Sequence, residues 1–212
     1  ILIRKITLKN TTILQRSAKI FFNQRFHIFE GNVGDTVYYN PIEKAIIHYK
    51  GKRYFLINGS HDAHGFDDFA TGMADFADYQ GTYVDANDGR LSRNPIEHGS
   101  VDSVIGLTVE LKPHEQKTVY YWVAVGTKFN EVSRLNSIVL RKNPEKLLKE
   151  TETYWRTWVN AQEFTFFELD EKIIDLFKRS LLIVRTQTDN NGAIIAANDT
   201  DNLYFKRDTY SY

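Results

Sequence analysis

The sequence of 212 residues contains no cysteine, and this absence removes several kinds of structure and chemistry. A disulfide framework, a thiolate metal site and a Cys-His catalytic pair are all excluded. A lack of cysteine fits an intracellular enzyme, and it also fits many thermostable or secreted proteins.

The sequence also has neither an excess of one charge sign nor a long apolar run. The 27 Lys and Arg residues balance 27 Asp and Glu residues, so electrostatics favours neither a nucleic acid nor an anionic membrane as a partner. No apolar run approaches the roughly 20 residues of a membrane span. The opening stretch "ILIRKITLKN" lacks the pattern of a signal peptide, and we expect a cytoplasmic protein.

Common catalytic motifs are absent too. No serine lies in a G-x-S-x-G context, and neither a P-loop nor G-x-G-x-x-G occurs, so nothing supports a serine hydrolase or a nucleotide site. A glycosidase needs two carboxyl groups, one of them with a raised pKa. Sequence alone selects no such pair, and we interpret the candidates as turn or surface residues: Glu30 with Asp35, Glu97 with Asp102, and Asp199 with Asp201.

Potential metal ligands are densest between residues 61 and 68, where the sequence has His61, Asp62, His64, Asp67 and Asp68. In a loop their spacing fixes no coordination geometry, whereas a catalytic zinc needs three oriented ligands. We interpret them as a solvated polar loop and predict neither a metal nor a cofactor. "DANDG" at 85–89 is interpreted as a turn, because its spacing does not fit a calcium loop and the distal Glu is missing.

Residues 1–126 carry the period-2 alternation of half-buried strands. The strand segments are "LIRKITLKN", "AKIFFNQRF", "AIIHYKGKRYFLIN", "SVIGLTVEL" and "KTVYYWVAVG". Lys50-Gly51-Lys52 separates two β-rich runs and predicts a hairpin. Strands at this spacing without helices between them predict an antiparallel sandwich. Residues 58–100 show little periodicity and predict a long, partly structured excursion over one sheet face, of the kind that is often functional.

Three helices are predicted after Gly126. The first follows "NEVSRLNSIVLRKN", Asn143-Pro144 opens the second, and Asp170 caps the third. Trp155 and Trp158 on the second helix are interpreted as packing residues rather than a sugar platform. The third helix is apolar on most of its circumference, which predicts burial between other elements. Too little sequence follows to cover it, so we expect its partner in a longer protein.

The C-terminal stretch "LFKRSLLIVRTQTDNNGAIIAANDTDNLYFKRDTYSY" closely resembles the start of the catalytic domain in bacterial and archaeal glucoamylases of glycoside hydrolase family 15. Upstream, "RFHIFEGNVGDTVYY", "GTYVDANDGRLSRNPIEHG" and "TVYYWVAVG" look like the second half of that family's N-terminal domain. The resemblance implies a mainly β fold. It places part of a galactose-mutarotase-like, antiparallel super-β-sandwich at 1–126, a helical linker at 127–168 and the start of an (α/α)6 barrel at 169–212.

The resemblance also implies an inverting, exo-acting α-glucan hydrolase that releases glucose from starch-type oligosaccharides. No glutamate here matches the family's two catalytic glutamates, and "RDTYSY" stops just short of the family's Trp-x-Arg-Asp motif. We therefore expect a catalytically inactive fragment. Tyr210 alone matches a family substrate contact, an aromatic ring near the sugar in the cleavage subsite. Arg207 and Asp208 are expected to brace its loop.

Other functions stay open at this point. The sandwich could be a separate carbohydrate-binding or interaction module, and the same architecture serves disaccharide phosphorylases. Within the family, glucodextranase and trehalase activities also remain possible, because linkage choice depends on barrel loops. The partner expected from the resemblance is an α-glucan or a maltooligosaccharide, with neither a nucleic acid nor a membrane.

Overall fold

The described residues are mainly β, and three α-helices follow the two large antiparallel sheets, as the sequence predicts. The computed structural model describes residues 1–30, 33–62, 64–76, 78–161, 164–195 and 209–211. Contacts divide the chain into two compact units, Ile1–Leu147 and Leu148–Tyr212. The division into three parts at residues 126 and 168 stays a prediction.

Thirteen strands occur in the described residues: β1 (Leu2–Lys9), β2 (Arg16–Arg25), β3 (Asp35–Asn40), β4 (Ala45–Lys50), β5 (Arg53–His61), β6 (His64–Gly65), β7 (Asp68–Phe76), β8 (Tyr79–Gln80), β9 (Ile96–Gly99), β10 (Val101–Leu111), β11 (Gln116–Gly126), β12 (Ala193–Ile195) and β13 (Thr209–Ser211). The larger sheet has the order β1-β11-β5-β4-β3-β9, with β6 on β5, and the smaller sheet has the order β2-β10-β7-β8. These two sheets make the predicted sandwich.

The core of the first unit lies between the two sheets. Its largest apolar cluster takes Ile46 and Ile57 from the larger sheet and Ile105 and Leu107 from the smaller one, all of them buried. Phe22 stacks on Tyr121 across the same interior, with ring centroids 4.6 Å apart. Apolar side chains that alternate along each strand therefore meet face to face, which is the usual origin of a sandwich core.

Two connections cross from one sheet to the other at the same end of the sandwich. The Pro-containing turn that follows β10 leads into β11 in the opposite sheet, and β1 likewise leads to β2. Asn10 holds both connections, because its buried Nδ2 donates to the carbonyls of Leu14, Leu111 and Lys112 at 2.7, 3.2 and 2.9 Å. A single buried amide thus satisfies backbone carbonyls that the strands leave unpaired.

The predicted hairpin between residues 50 and 53 is confirmed. β4 and β5 pair up to Lys50 opposite Arg53, and the two residues between them form the loop. Gly51 has a φ of +52°, a conformation that favours glycine in tight hairpin loops.

The interval 58–100 contains more regular structure than its sequence indicates. β7 lies inside the smaller sheet and pairs with β10 from Asp68 opposite Gly106 to Met73 opposite Val101. β9 completes the edge of the larger sheet beside β3. The prediction of a long, partly structured excursion over one sheet face is therefore wrong for these strands, which belong to the sheets themselves. β7 has small side chains on the face that points away from the larger sheet, among them the buried Ala70 and Ala74, so it lacks the bulky apolar alternation that marks a strand.

The larger sheet is covered on its second face by helix α1 (Phe129–Lys142). Val132 packs there with Ala45, Ile47, Leu56 and Ala124 in a separate buried cluster. Burial on both faces explains why β4 and β5 read as nearly continuous apolar runs rather than as alternating ones.

Two further helices follow, α2 (Pro144–Val159) and α3 (Glu171–Thr186), and their predicted N-caps are confirmed. The Asn143 Oδ1 accepts from the N–H of Glu145 at 2.9 Å, and the Asp170 Oδ1 accepts from the N–H of Lys172 at 2.8 Å. Among the described residues, no helix is long and apolar enough to cross a membrane.

The apolar surface of α3 is exposed. None of the described α3 residues is buried, and Leu176 and Ile183 are 65% and 60% accessible. Phe177 contacts the rings of Phe164 and Phe166 at 5.0 and 5.5 Å, which covers one part of the helix only. The burial expected from its composition is therefore not achieved by the part of this chain that the structure describes.

Candidate functional site

Tyr210, the predicted sugar contact, belongs to a pair of short antiparallel strands. Its backbone lies in β13 opposite Ile194 of β12. The Tyr210 side chain lies outside the described part of the structure, as do Arg207 and Asp208. The stacking of Tyr210 on a sugar therefore stays a prediction.

The potential metal ligands between residues 61 and 68 are distributed over three strands and the residues between them. His61 lies on β5, His64 on β6 and Asp68 on β7, so they are not in the single loop that the sequence suggested. Asp62 pairs with the Lys117 Nζ at 2.8 Å, and this hydrogen bond holds the pKa of its carboxyl below the usual range. Within the described ranges, no group of three or more His, Cys, Asp or Glu side chains could hold a metal ion.

The two remaining carboxylates of that stretch bind other parts of the sandwich. Asp67 accepts from the N–H of Thr108 at 2.9 Å. Asp68 accepts from the Arg93 Nε at 3.1 Å and from the N–H of Leu91 at 3.2 Å. These bonds join β7 to its neighbouring segments, so we assign both groups a structural role.

The turn interpretation of "DANDG" is confirmed. Asp85–Asp88 form a short 3-10 turn that ends at Gly89, whose φ is +80°. Asp85 accepts from the N–H of Ser92 at 2.7 Å, and Asp88 accepts from the N–H of Arg90 at 2.8 Å. Both carboxylates thus complete the turn itself.

The structure corrects the interpretation of Asp35 and Asp102 as turn or surface residues, because both are buried. Asp35 forms an ion pair with the Lys50 Nζ at 2.9 Å, which compensates its burial. Asp102 accepts from the N–H of Thr82 at 2.8 Å and from the Asn23 Nδ2 at 3.1 Å. Burial nevertheless raises the pKa of Asp102. Asp199 and Asp201 lie outside the described residues.

A buried Ser-His contact crosses the sandwich interior. The Nε2 of His48 lies 2.8 Å from the Ser103 Oγ, which donates in turn to the Gln24 Oε1 at 3.0 Å. The serine proton is committed to Gln24, so His48 donates from Nε2. Ser103 and His48 are at most 1% accessible, and a substrate cannot reach them. This contact therefore fixes the two sheets together rather than forming a nucleophile.

A polar cleft of about 870 Å³ opens between the larger sheet and the chain around α1. At its floor, the Trp122 Nε1 donates to the Asn136 Oδ1 at 3.0 Å, and the Asn136 Nδ2 donates to the Glu43 Oε2 at 3.1 Å. Ser133 donates to the other oxygen of Glu43. Both carboxylate oxygens of Glu43 thus accept bonds from α1, so this network attaches the helix to the sheet.

Tyr120 and Glu145 form a second attachment beside that cleft. The Tyr120 hydroxyl donates to the Glu145 Oε2 at 2.6 Å, and the Lys5 Nζ approaches the same carboxylate oxygen at 2.8 Å. Burial, together with the neighbouring carboxylate, raises the pKa of Tyr120 to about 12. The phenol therefore stays protonated and remains a donor across the physiological range.

A second cleft, of about 770 Å³, lies on the smaller sheet and is called here the Tyr79 groove. Its walls come from β7, from β8, from the chain that follows β8 and from β9. Its lining includes Thr71, Asp78, Tyr79, Gln80, Ser92 and Glu97. Tyr79 is 60% accessible, so an aromatic side chain and several hydrogen-bonding side chains are exposed together.

Sequence reasoning did not identify this groove. The segment "ADYQGTY" offered the only signal, two tyrosines around a glycine among polar residues. Which groups gather around Tyr79 depends on strand pairings that bring residues 71, 92 and 97 beside residue 79.

No known family model matches the sequence. A glycosyl hydrolase of Methanocaldococcus jannaschii is 25% identical over 208 residues, an alignment that covers 93% of this chain and 32% of that protein. The crystal structure of a bacterial glucoamylase complexed with acarbose superimposes with a TM-score of 0.60 at 12% identity, over 81% of this chain and 24% of the glucoamylase. The chain shares its fold with part of that glucoamylase. It spans about a third of the length of its curated relative.

Proposed function

We propose that this chain is part of an inverting, exo-acting α-glucan hydrolase of glycoside hydrolase family 15, of the glucoamylase type. The observation that carries the proposal is the alignment of 93% of the chain with a glycosyl hydrolase. The fold shared with a bacterial glucoamylase supports it independently of sequence identity. The motifs from "FKRSLL" to "RDTYSY" supply the family assignment.

In this proposal the hydrolytic carboxyl groups lie outside the residues that the structure describes. An inverting enzyme needs an acid and a base about 6.5–9.5 Å apart on opposite sides of the scissile bond, with a water between them. Asp35 and Asp102 are buried and hydrogen-bonded, and Glu43 is bound by α1. None of these three groups is available to protonate a leaving group or to activate water. The chain supplies the scaffold, and Tyr210 supplies a ring to the sugar.

The exposed apolar surface of α3 supports the proposed position of this helix. We infer that α3 is the first helix of an (α/α)6 barrel, whose neighbouring helices would cover Leu176 and Ile183. Burial of such side chains stabilises by about 1.5–3 kcal/mol each, which would tie the barrel to this segment. The cytoplasmic location stays a prediction of the sequence.

The decisive experiment compares two polypeptides on maltoheptaose. The first is this chain alone, for which we expect no glucose release. The second is the longer protein that contains it, for which we expect glucose released in the β-configuration, followed by NMR of the anomeric proton. Turnover by the chain alone would overturn its proposed inactivity. Phosphate-dependent formation of a sugar phosphate by the longer protein would replace the hydrolase with a disaccharide phosphorylase.

A further inference from the structure

The wall of the Tyr79 groove is fixed from below by a buried carboxylate. Asp102 of β10 is 1% accessible, and both of its oxygens accept from the N–H of Thr82, at 3.0 and 2.8 Å. The Asn23 Nδ2 donates to Asp102 and also to the Thr82 hydroxyl, both at 3.1 Å. Burying a carboxylate costs free energy unless hydrogen bonds compensate it. Here the bonds from Thr82 and Asn23 provide that compensation, and they hold the segment after Tyr79 in one position.

Two glycines allow this close contact. A Cβ on Gly81, whose φ is +117°, would lie 2.7 Å from the Asp102 Oδ2, and a Cβ on Gly72 would lie 2.8 Å from the Thr82 Cγ2. Any side chain at residue 81 would therefore displace this loop from the Asp102 carboxylate. Tyr79 stands two residues before this glycine, so its position depends on the same contact.

The groove displays the chemical groups that recognise a neutral sugar chain. The exposed Tyr79 ring offers a flat face for the C–H face of a pyranose, and Asp78, Gln80 and Ser92 offer exposed acceptors and donors for hydroxyl groups. Asp78, Asp85 and Glu97 give the lining a negative character, which disfavours phosphates, nucleic acids and other anions. A neutral, hydroxyl-rich ligand fits both properties.

We propose that the Tyr79 groove is a binding site for an α-glucan chain. Tyr79 stacks on a sugar ring, Asp78 and Gln80 bind hydroxyl groups, and Asp102 acts as a positioning residue through Thr82. The identity of the sugar as an α-glucan rests on the proposed function. The groove itself, and the anchoring of its wall by Asp102, do not depend on the proposed function.

The test is calorimetric titration of this chain with maltoheptaose, supported by NMR shifts of the tyrosine ring protons. We expect saturable binding that Tyr79→Ala weakens by about tenfold, because the stacking face is lost. Tyr79→Phe should retain most of the affinity, since the ring remains. Gly81→Ala should also weaken binding, although it removes no group that would touch the sugar.

The matched control is Tyr154→Ala, which removes a tyrosine of similar exposure, 56%, from helix α2. This variant should bind maltoheptaose as the unmodified chain does, and circular dichroism should show that each variant keeps its strand content. Absence of binding by the unmodified chain, or equal affinity of the Tyr79→Ala and unmodified chains, would overturn the proposal. Equal binding of cellohexaose would overturn the assignment to α-glucans.

Failure of this site and failure of the proposed hydrolase are distinguishable. Binding is measured on this chain alone and needs no catalytic group. Hydrolysis is measured as glucose released by the longer protein. A longer protein that hydrolyses maltoheptaose while this chain fails to bind it would refute the groove and leave the hydrolase standing.

Discussion

His48 occupies the interior of the sandwich as a neutral imidazole. Burial lowers its pKa from 6.5 to about 3, since no carboxylate compensates a charge there and its Nε2 donates to Ser103. In the unfolded chain the imidazole recovers its ordinary pKa. Between pH 3 and 6.5 the unfolded state therefore binds the additional proton, and the stability contributed by His48 decreases as the pH falls through this window.

We expect His48→Gln to flatten the dependence of stability on pH. Glutamine retains an N–H donor for Ser103 and does not titrate. Between pH 7 and pH 5 the unmodified chain should lose about 2 kcal/mol more unfolding free energy than the variant. Urea denaturation at both pH values measures this difference. The raised pKa of Asp102 acts in the opposite direction but is present in both proteins, so it cancels. Equal losses would contradict the neutral, buried histidine.

Asn136 is the buried residue that joins α1 to the sheet. It accepts from the Trp122 Nε1 and the Asn58 Nδ2 and donates to Glu43. We expect Asn136→Ala to lower the unfolding free energy by about 2–3 kcal/mol, because it leaves buried polar partners unsatisfied. Ser137→Ala, at an exposed position of the same helix, is the control and should change stability by less than about 0.5 kcal/mol. Thermal unfolding followed by circular dichroism compares them.

Buried polar residues were the least predictable part of the chain. Asp35 and Asp102 were interpreted from the sequence as turn or surface residues. Their burial depends on partners distant in sequence, such as Lys50 and Asn23, which only strand pairing brings close. Charged and polar residues are usually exposed, so a local pattern gives no reason to expect otherwise.

At the level of elements, α1 and α3 have similar amphipathic patterns and different surroundings. α1 buries Val132, Asn136 and Val139 against the larger sheet, whereas no described residue of α3 is buried. Periodicity shows which side of a helix prefers to leave water. It does not show which element is available to cover that side.

This contrast predicts that replacing an apolar residue with asparagine lowers stability in α1 but has little effect in α3. Val139→Asn places an amide in a fully buried position and should destabilise this chain by about 3 kcal/mol or more. Leu176→Asn, at a position that is 65% accessible, should change its unfolding free energy by less than about 0.5 kcal/mol. Chemical denaturation of both variants gives the two values. A large loss for Leu176→Asn would show that α3 is covered within this chain.

At the scale of the whole molecule, the described apolar clusters all fall within the first compact unit. The residues of these clusters extend no further than Leu135, inside the unit Ile1–Leu147. We expect residues 1–147 to fold alone, with a cooperative thermal transition and the strand content of the sandwich. Differential scanning calorimetry would test this, and a broad transition without an enthalpy peak would contradict it.

The proposed hydrolytic function also concerns the whole molecule. The sandwich and its helices match about a quarter of a glucoamylase and about a third of a glycosyl hydrolase. Hydrolysis is therefore a proposal about a larger assembly of elements, whereas glucan binding at Tyr79 is a proposal about this chain. Glucose release by the longer protein tests the first proposal, and titration of this chain with maltoheptaose tests the second.

The sequence by itself determined the β-rich and helical parts, the hairpin at Gly51, the helix caps at Asn143 and Asp170, and the turn at 85–89. These features depend on neighbouring residues and on the short period of apolar side chains along a strand or a helix. Only the tertiary structure decided that β7 is an interior strand, that Asp102 anchors a loop and that Tyr79 stands in a groove. Each of these depends on contacts between residues far apart in the chain, and such contacts form only when the sheets pair and pack.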